Sequence, residues 1–243
     1  MLFRRLILLS LFVGLLSGVV LTALQQWQVT PIIIAAEQFE EAAPVEIAGH
    51  DHAAHSHGDE AWAPADGMER SLYSLLSNVL TAIGFAAMLL ALMAYLQLKN
   101  STVWSLNRGL LWGAVGFFTF FAAPSLGLLP EIPGTQAAAL EARQSWWLLT
   151  VLASGLGFYL LFFAKLPLKG LGLLLLLLPH LIGAPHIAGP EFIHPDPAAV
   201  ASLTKLHQRF ILSSSVVNLL FWLSLGLFSA WGLQRGLKAS ATA

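Results

Sequence analysis

The chain has 243 residues, of which 57% are hydrophobic and 10% charged, with a formal net charge of −1. Soluble domains carry about a quarter charged residues, so a water-soluble globule is excluded, and the missing positive excess argues against nucleic acid as a partner. There is no cysteine, which removes disulfides, Cys-type zinc sites and thiolate copper sites.

A membrane-spanning helix needs about 20 mainly apolar residues. Six stretches meet that need: Leu6–Leu24, Leu72–Leu96, Gly109–Leu129, Trp146–Ala164, Gly170–Ile187 and Phe210–Leu233. Hydrocarbon offers no partner to an open strand edge, and no alternating barrel pattern occurs, so these segments are helices. The predicted fold is all-α, a polytopic membrane helix bundle of about six spans. It divides into a first span within residues 1–24, a polar loop over 25–71 and a five-helix bundle over 72–238. The first span has the basic start of a signal peptide. Its apolar run is long for that role and no small-x-small site follows, so it reads as an uncleaved anchor. Cleavage would leave five spans and the loop on the same side.

Basic residues set the orientation. With the N-terminus inside, the inner segments hold Arg4, Arg5, Lys99, Arg108, Lys165, Lys169, Arg235 and Lys238. The outer ones hold only Arg70, Arg143, Lys205 and Arg209. That is the positive-inside pattern, with both termini cytoplasmic. Acids were not needed for the assignment, yet every Asp and Glu falls outside, which makes the outer face attractive to cations. Gly14 and Gly18, and Gly109 and Gly113, have G-x-x-x-G spacing and predict close helix packing, with Gly155 and Gly157 as further candidates. Trp27, Trp104, Trp146, Trp147 and Trp231 lie near predicted interfaces, where indole rings anchor. Asn78 and Asn218 are polar groups inside spans, to be read as interhelical hydrogen-bonders or as path-lining residues.

The outer loop contains His50, His52, His55 and His57 among Asp51, Asp59 and Glu60. Neutral imidazole binds Co, Ni, Zn and Cu(II), and a flexible chain can fold several rings around one ion. The tract therefore predicts capture of a divalent transition metal. Two plainer readings stay open: a solvated linker that binds metal only adventitiously, and a pH-sensitive tether. A second constellation is Pro179-His180, Pro185-His186 and His194-Pro195. His180 lies in a leucine-rich stretch, and an ionisable residue in a span is a functional candidate by default. His180 and His186 are six apart, so sharing an ion requires the helix to break near Gly183–Pro185. Metal candidates are thus His50, His52, His55, His57, His180, His186 and His194. His207, ahead of the last span, reads as merely interfacial.

No P-loop and no H-E-x-x-H or G-x-S-x-G motif occurs, and no acid lies within a span. No catalytic set converges, so an enzyme is not predicted and no organic cofactor is implied. A dication entering a negative-inside cell gains roughly 4–5 kcal/mol per 100 mV, enough for accumulation without ATP.

Several segments together resemble a known family. They are the His-rich loop running into Glu60-Ala61-Trp62 and Asp66-Gly67-Met68-Glu69-Arg70, then Gly127-Leu128-Leu129-Pro130-Glu131-Ile132-Pro133-Gly134. Ala142-Arg143-Gln144-Ser145-Trp146-Trp147 and Leu178-Pro179-His180-Leu181-Ile182-Gly183-Ala184-Pro185-His186 follow. In order and spacing, over nearly the whole chain, these resemble the CbtA family of predicted cobalt transporter subunits. The resemblance implies a bacterial inner-membrane protein for Co²⁺ uptake, with Ni²⁺ or Zn²⁺ as alternatives. It also implies a small, one-span, His-rich partner of the CbtB kind. By the same resemblance the loop histidines, His180 and His186 are candidate metal contacts, while His194 is added from its position alone. The leading expectation is a metal-ion permease, with Arg143 a structural clamp at its outer mouth. The rival is a non-transporting membrane metal sensor or an accessory scaffold of a transporter. The oligomeric state is not legible.

Overall fold

The computed structural model describes residues 2–41, 64–100 and 102–241. The histidines of the predicted outer loop, His50, His52, His55 and His57, lie outside the described residues. The described chain is helical, apart from one isolated antiparallel bridge between Thr135 and Phe192. In chain order the helices are α1 (Leu2–Gln28), α2 (Thr30–Glu41), α3 (Met68–Asn100), α4 (Leu106–Phe117), a π-helical turn (Phe118–Ala122), α5 (Ala123–Ser125), α6 (Leu140–Phe163), α7 (Leu166–Ile182) and α8 (Pro197–Ala241).

Among the described residues four helices are long and apolar enough to cross a membrane: Phe3–Gln28, Met68–Lys99, Leu140–Phe163 and Pro197–Arg235. The other two predicted spans differ in detail. Gly109–Leu129 is helical only to Ser125, and the π turn interrupts its α-helical hydrogen bonding, so α4, the π turn and α5 form one interrupted rod. Gly170–Ile187 starts earlier and stops earlier. Lys165 is the N-cap of α7, Pro167 sits in its first turn, and Gly183 at φ +87° ends it two residues before Pro185. The 17 residues of α7 reach about 25 Å at 1.5 Å per residue, a little short of a hydrocarbon core of about 30 Å.

Backbone-to-backbone packing holds the bundle. Along α1 and α3, Gly18 lets the helices meet so closely that a Cβ there would lie 2.6 Å from the Val79 Cα. Along α4 and α8, a Cβ on Gly226 would lie 2.7 Å from the Gly113 nitrogen and 2.9 Å from its Cα. Small residues at such crossings let helices associate without any hydrophobic driving force between them. Val13, Leu90, Met93, Val217 and Leu225, all 1% exposed or less, fill the space between α1, α3 and α8. Gly157 and Gly172 bring α6 and α7 together, and this hairpin joins the rest chiefly through the π turn and α5.

Two helical pieces stand where the sequence predicts polar connection. The loop over 25–71 contains α2, which follows α1 after a one-residue break at Val29, with Pro31, which has no N–H to donate, in its first turn. Ile32 and Ala36 are buried on one face of α2, and Glu37 on its other side makes a bidentate ion pair with Arg70 of α3 at 2.6 and 2.9 Å. The last helix begins not at Phe210 but at Pro197. Asp196 caps it, its carboxylate accepting the Ala198 N–H at 2.8 Å, and proline occupies the first helical position. Its 45 residues span about 67 Å, more than twice the hydrocarbon thickness. The excess packs against α2 through Ala36, Leu203, Ile132 and Phe192, forming an apolar cap. Replacing Arg70 with alanine is expected to loosen α2 from α3 at a cost of about 1 kcal/mol, the scale of a half-exposed bidentate pair. Thermal unfolding in detergent would register it, and an unchanged midpoint would mean that solvent replaces the pair without loss.

The bundle has two chemically different poles. At one end Arg235 lies 4.3 Å over the Trp231 ring, Trp231 stacks on Phe12, and the Gln234 side chain donates to the Trp104 carbonyl at 3.0 Å. At the other are the acids Glu37, Glu131 and Glu191 with their partners. Trp104 and Trp146 are 4% and 6% exposed, so they are packing residues rather than the interface anchors their positions suggest. Trp104 folds under the α3–α4 turn into the core, and Trp146 closes on Gly127. Asn78 donates to Thr22 Oγ1 at 3.0 Å and Gln25 Oε1 at 2.6 Å, joining α3 to α1, whereas Asn218 bonds only the Ser214 carbonyl of its own helix.

Candidate functional site

The acidic pole carries a cavity of about 230 Å³ built by two irregular segments and the start of α8. The first segment, Leu128 to Gly134, turns sharply: Thr135 bonds back to the Ile132 carbonyl through its N–H at 3.2 Å and its hydroxyl at 2.7 Å, and Gly134 takes φ +83°. The second runs from Gly183 to Asp196. The Thr135–Phe192 bridge and a 2.8 Å bond from the Gln136 N–H to the Glu191 carbonyl tie the two together. Ile132 and Phe192, each 4% exposed, plug both into the cap beneath α2. The polar groups of the cavity are therefore held on anchored loops.

Four charged or ionisable side chains form two pairs there. Arg143, on the first turn of α6, donates through Nη1 to Glu131 Oε2 at 2.5 Å, and its Nε is buried without a partner. The pair ties the start of α6 to the first segment. The second pair centres on His207. This ring is buried by its place on α8: Ala199, Leu203 and His207 recur every four residues on one face and are each 4% exposed. Its Nε2 lies 2.8 Å from the Pro130 carbonyl oxygen, its Nδ1 lies 2.5 Å from Glu191 Oε1, and its edge packs on Phe192. A carbonyl and an ionised carboxylate are both acceptors only. A ring with a single N–H satisfies one of them, so full satisfaction takes a further proton, on the ring or on the carboxyl group. His207 thus bridges both segments to α8, in contrast to its reading as an interfacial residue.

The other histidines are placed as follows. His186 is exposed and lines the same cavity as Glu131, Glu191 and His207. His180 is half-buried in the last turn of α7, with its ring 5.8 Å from that of Trp146, whose indole N–H donates to the Pro179 carbonyl at 3.2 Å. The helix does break between His180 and His186, at Gly183, but His180 does not line the cavity that His186 lines. His194 packs against Phe39, and its Nδ1 accepts the Asp196 N–H at 3.0 Å. So held, its Nε2 carries the hydrogen and offers no lone pair to a metal. Among the described residues no group of three or more His, Asp or Glu side chains stands ready to hold a metal ion. The carboxylates that could do so are engaged with Arg143 and His207. A dication entering this cavity would compete with the guanidinium for Glu131 and with the His207 ring for Glu191.

A sequence signal for His207 existed. Leu203, His207 and Phe210 follow helical spacing, and Asp196-Pro197 is a helix-start signature. Together they extend the last helix outward and put His207 on its buried face. Nothing local in the sequence marks its partners, because Pro130 is 77 positions away.

No curated protein and no solved structure matches the chain. Residues 3–234 match the model of a family described as "Probable cobalt transporter subunit (CbtA)". With its long apolar helices, its acidic pole and this match over nearly its whole length, the chain belongs to the CbtA family of probable cobalt transporter subunits.

Proposed function

We propose that this protein takes up a divalent transition-metal cation, Co²⁺ before Ni²⁺ or Zn²⁺, across the bacterial inner membrane. In this reading six helical segments cross with both termini in the cytoplasm, and the acidic pole faces outward. His50, His52, His55 and His57 capture the ion, assisted by neighbouring carboxylates. The ion then passes to the cavity that holds His186, with His180 farther along its way. His194 is a weaker candidate, because its Nδ1 already accepts the Asp196 N–H.

The observation that carries the reading is the family membership together with the separation of charge. Imidazoles and carboxylates gather at one pole, and the basic residues Arg108 and Arg235 lie at the other. A dication is drawn to the first pole and, with the membrane potential negative inside, gains roughly 4–5 kcal/mol per 100 mV on crossing. No nucleotide is required.

A second reading is supported by the close packing of the interior and by the word subunit in the family description. Leu90, Met93, Val217 and Leu225, each 1% exposed or less, fill the centre of the bundle. An accessory or sensing subunit that delivers metal to a separate permease, a small one-span protein among the candidates, also fits. Uptake of radioactive cobalt in cells expressing this chain alone separates the two. Saturable uptake supports the permease, and uptake that needs a second polypeptide supports the accessory subunit.

The capture role makes its own prediction. Replacing His50, His52, His55 and His57 together by alanine should raise the half-saturation concentration about tenfold, as for loss of one coordinate contact of about 1.4 kcal/mol. The maximal rate should change little. In the wild type the half-saturation concentration should also rise on acidification, because protons compete for imidazole nitrogen. An unaltered half-saturation concentration in the fourfold variant would remove the loop from the path.

A further inference from the structure

Gly155 differs from Gly157 two residues on. A Cβ on Gly157 would strike α7, whereas one on Gly155 would meet only Thr119 Cγ2, at 3.9 Å. Gly155 opens onto a groove of about 470 Å³ between α3 and α6, floored by α4, the π turn and Trp222 of α8. Among the described residues no packed interface joins α3 to α6, and Leu92, Leu152 and Leu156 stand exposed along its edges. The lining is almost wholly apolar, from Leu89 and Trp112 to Phe120 and Phe162. In a bilayer such a slot meets lipid chains.

The groove has one polar end. It shares Trp112, Val115, Phe162 and Phe163 with a second cavity of about 170 Å³ whose other walls include Thr102, Trp104 and Arg108. Trp104 is 4% exposed, and its buried indole N–H has no hydrogen-bond partner. Arg108 donates through Nη1 to the Val103 carbonyl and is otherwise exposed. Lys99, in the last turn of α3, donates to the Tyr95 hydroxyl at 3.1 Å, one turn along from Leu92 at the edge of the groove. α4 starts at Leu106 after its Ser105 cap, so its first N–H groups add positive potential at the same end. Among the described residues no acid pairs with Lys99 or Arg108. The sequence has no Asp or Glu from Ser71 to Pro130, from Ala142 to Pro190, or after Asp196.

From these features we propose that the groove binds one anionic phospholipid from the leaflet at the cationic pole. One acyl chain lies along Leu92, Phe120 and Leu156 over Gly155. The phosphate accepts from Arg108 and the Trp104 indole N–H, with Lys99 adding charge. An apolar slot ending in unbalanced cations and an idle buried donor matches a molecule with a hydrocarbon tail and an anionic head. A partner's transmembrane helix would leave the indole N–H and both cations unanswered.

The test is native mass spectrometry of the full chain in mild detergent, titrated with dioleoyl phosphatidylglycerol or dioleoyl phosphatidylcholine, with thermal unfolding in parallel. One equivalent of the glycerol lipid should be retained and should raise the midpoint, with the choline lipid retained about tenfold less. In the double variant Lys99→Gln/Arg108→Gln, retention of the glycerol lipid should fall about tenfold, the order expected when two cations leave an anionic headgroup. Gly155→Leu fills the slot without striking backbone. It should abolish retention of both lipids while the midpoint of the lipid-free protein holds or rises. Equal retention of the two lipids overturns the proposal. So does undiminished retention in Gly155→Leu, or a co-purifying polypeptide that the glycerol lipid fails to displace.

Discussion

Gly226→Leu should abolish the folded bundle. The backbones of α4 and α8 touch there, with a new Cβ 2.7 Å from the Gly113 nitrogen, and no rotamer of a larger side chain relieves an overlap between backbones. The helices must separate, which strips contacts from Trp222 and Leu225, each 2% exposed or less. A loss of more than about 4 kcal/mol is expected, beyond the usual range for a single substitution. Size-exclusion chromatography in detergent would show aggregated material or none. The control is Gly84→Leu on α3, where a Cβ meets nothing within 4 Å and a folded product is expected. A monodisperse Gly226→Leu protein with a normal unfolding midpoint would refute the close crossing.

The second large effect concerns the His207–Glu191 pair. His207→Ala removes a ring that joins the Pro130 carbonyl, the Glu191 carboxylate and Phe192. It leaves both acceptors unpaired and leaves the apolar cap to hold both segments to α8. A stability loss of about 2 kcal/mol is expected, discounted because Glu191 is partly exposed. Metal uptake should fall at least about tenfold if the cavity at His186 receives the ion, equivalent to about 1.4 kcal/mol. Glu191→Gln separates position from charge. A glutamine amide can donate to Nδ1 while Nε2–H still donates to Pro130, so the bridge is retained without the carboxylate. Retained stability with reduced uptake would show that the negative charge serves the ion. Retained stability with undiminished uptake would reduce the pair to a structural strut and move the entry route elsewhere.

Much of the plan was legible in the sequence, because hydropathy acts one residue at a time. A run such as Leu6–Leu24 has to leave water whatever it packs against, and the acids fall in the segments between such runs for the same reason. What was not legible depends on partners distant in sequence. Ile32 and Ala36 lie among glutamates and short of any span, and only the cap residues Leu203 and Phe192 make their helix worth forming. Trp104 lies at a predicted interface yet is buried, because the α3–α4 turn folds it inward. Pro179 looks like a breaker in a leucine run, but α7 continues past it and ends at Gly183.

The sequence by itself determined that this is a membrane protein of long apolar helices whose acids fall in the segments between them, and its motifs identified the family. Those properties follow from the transfer cost of individual side chains and from residue identity. Only the tertiary structure decided that His207 is buried between Pro130 and Glu191, that Glu131 is held by Arg143, and that α3 and α6 leave a groove between them. Each of these depends on which helix faces which, and that is set by where glycines let backbones touch.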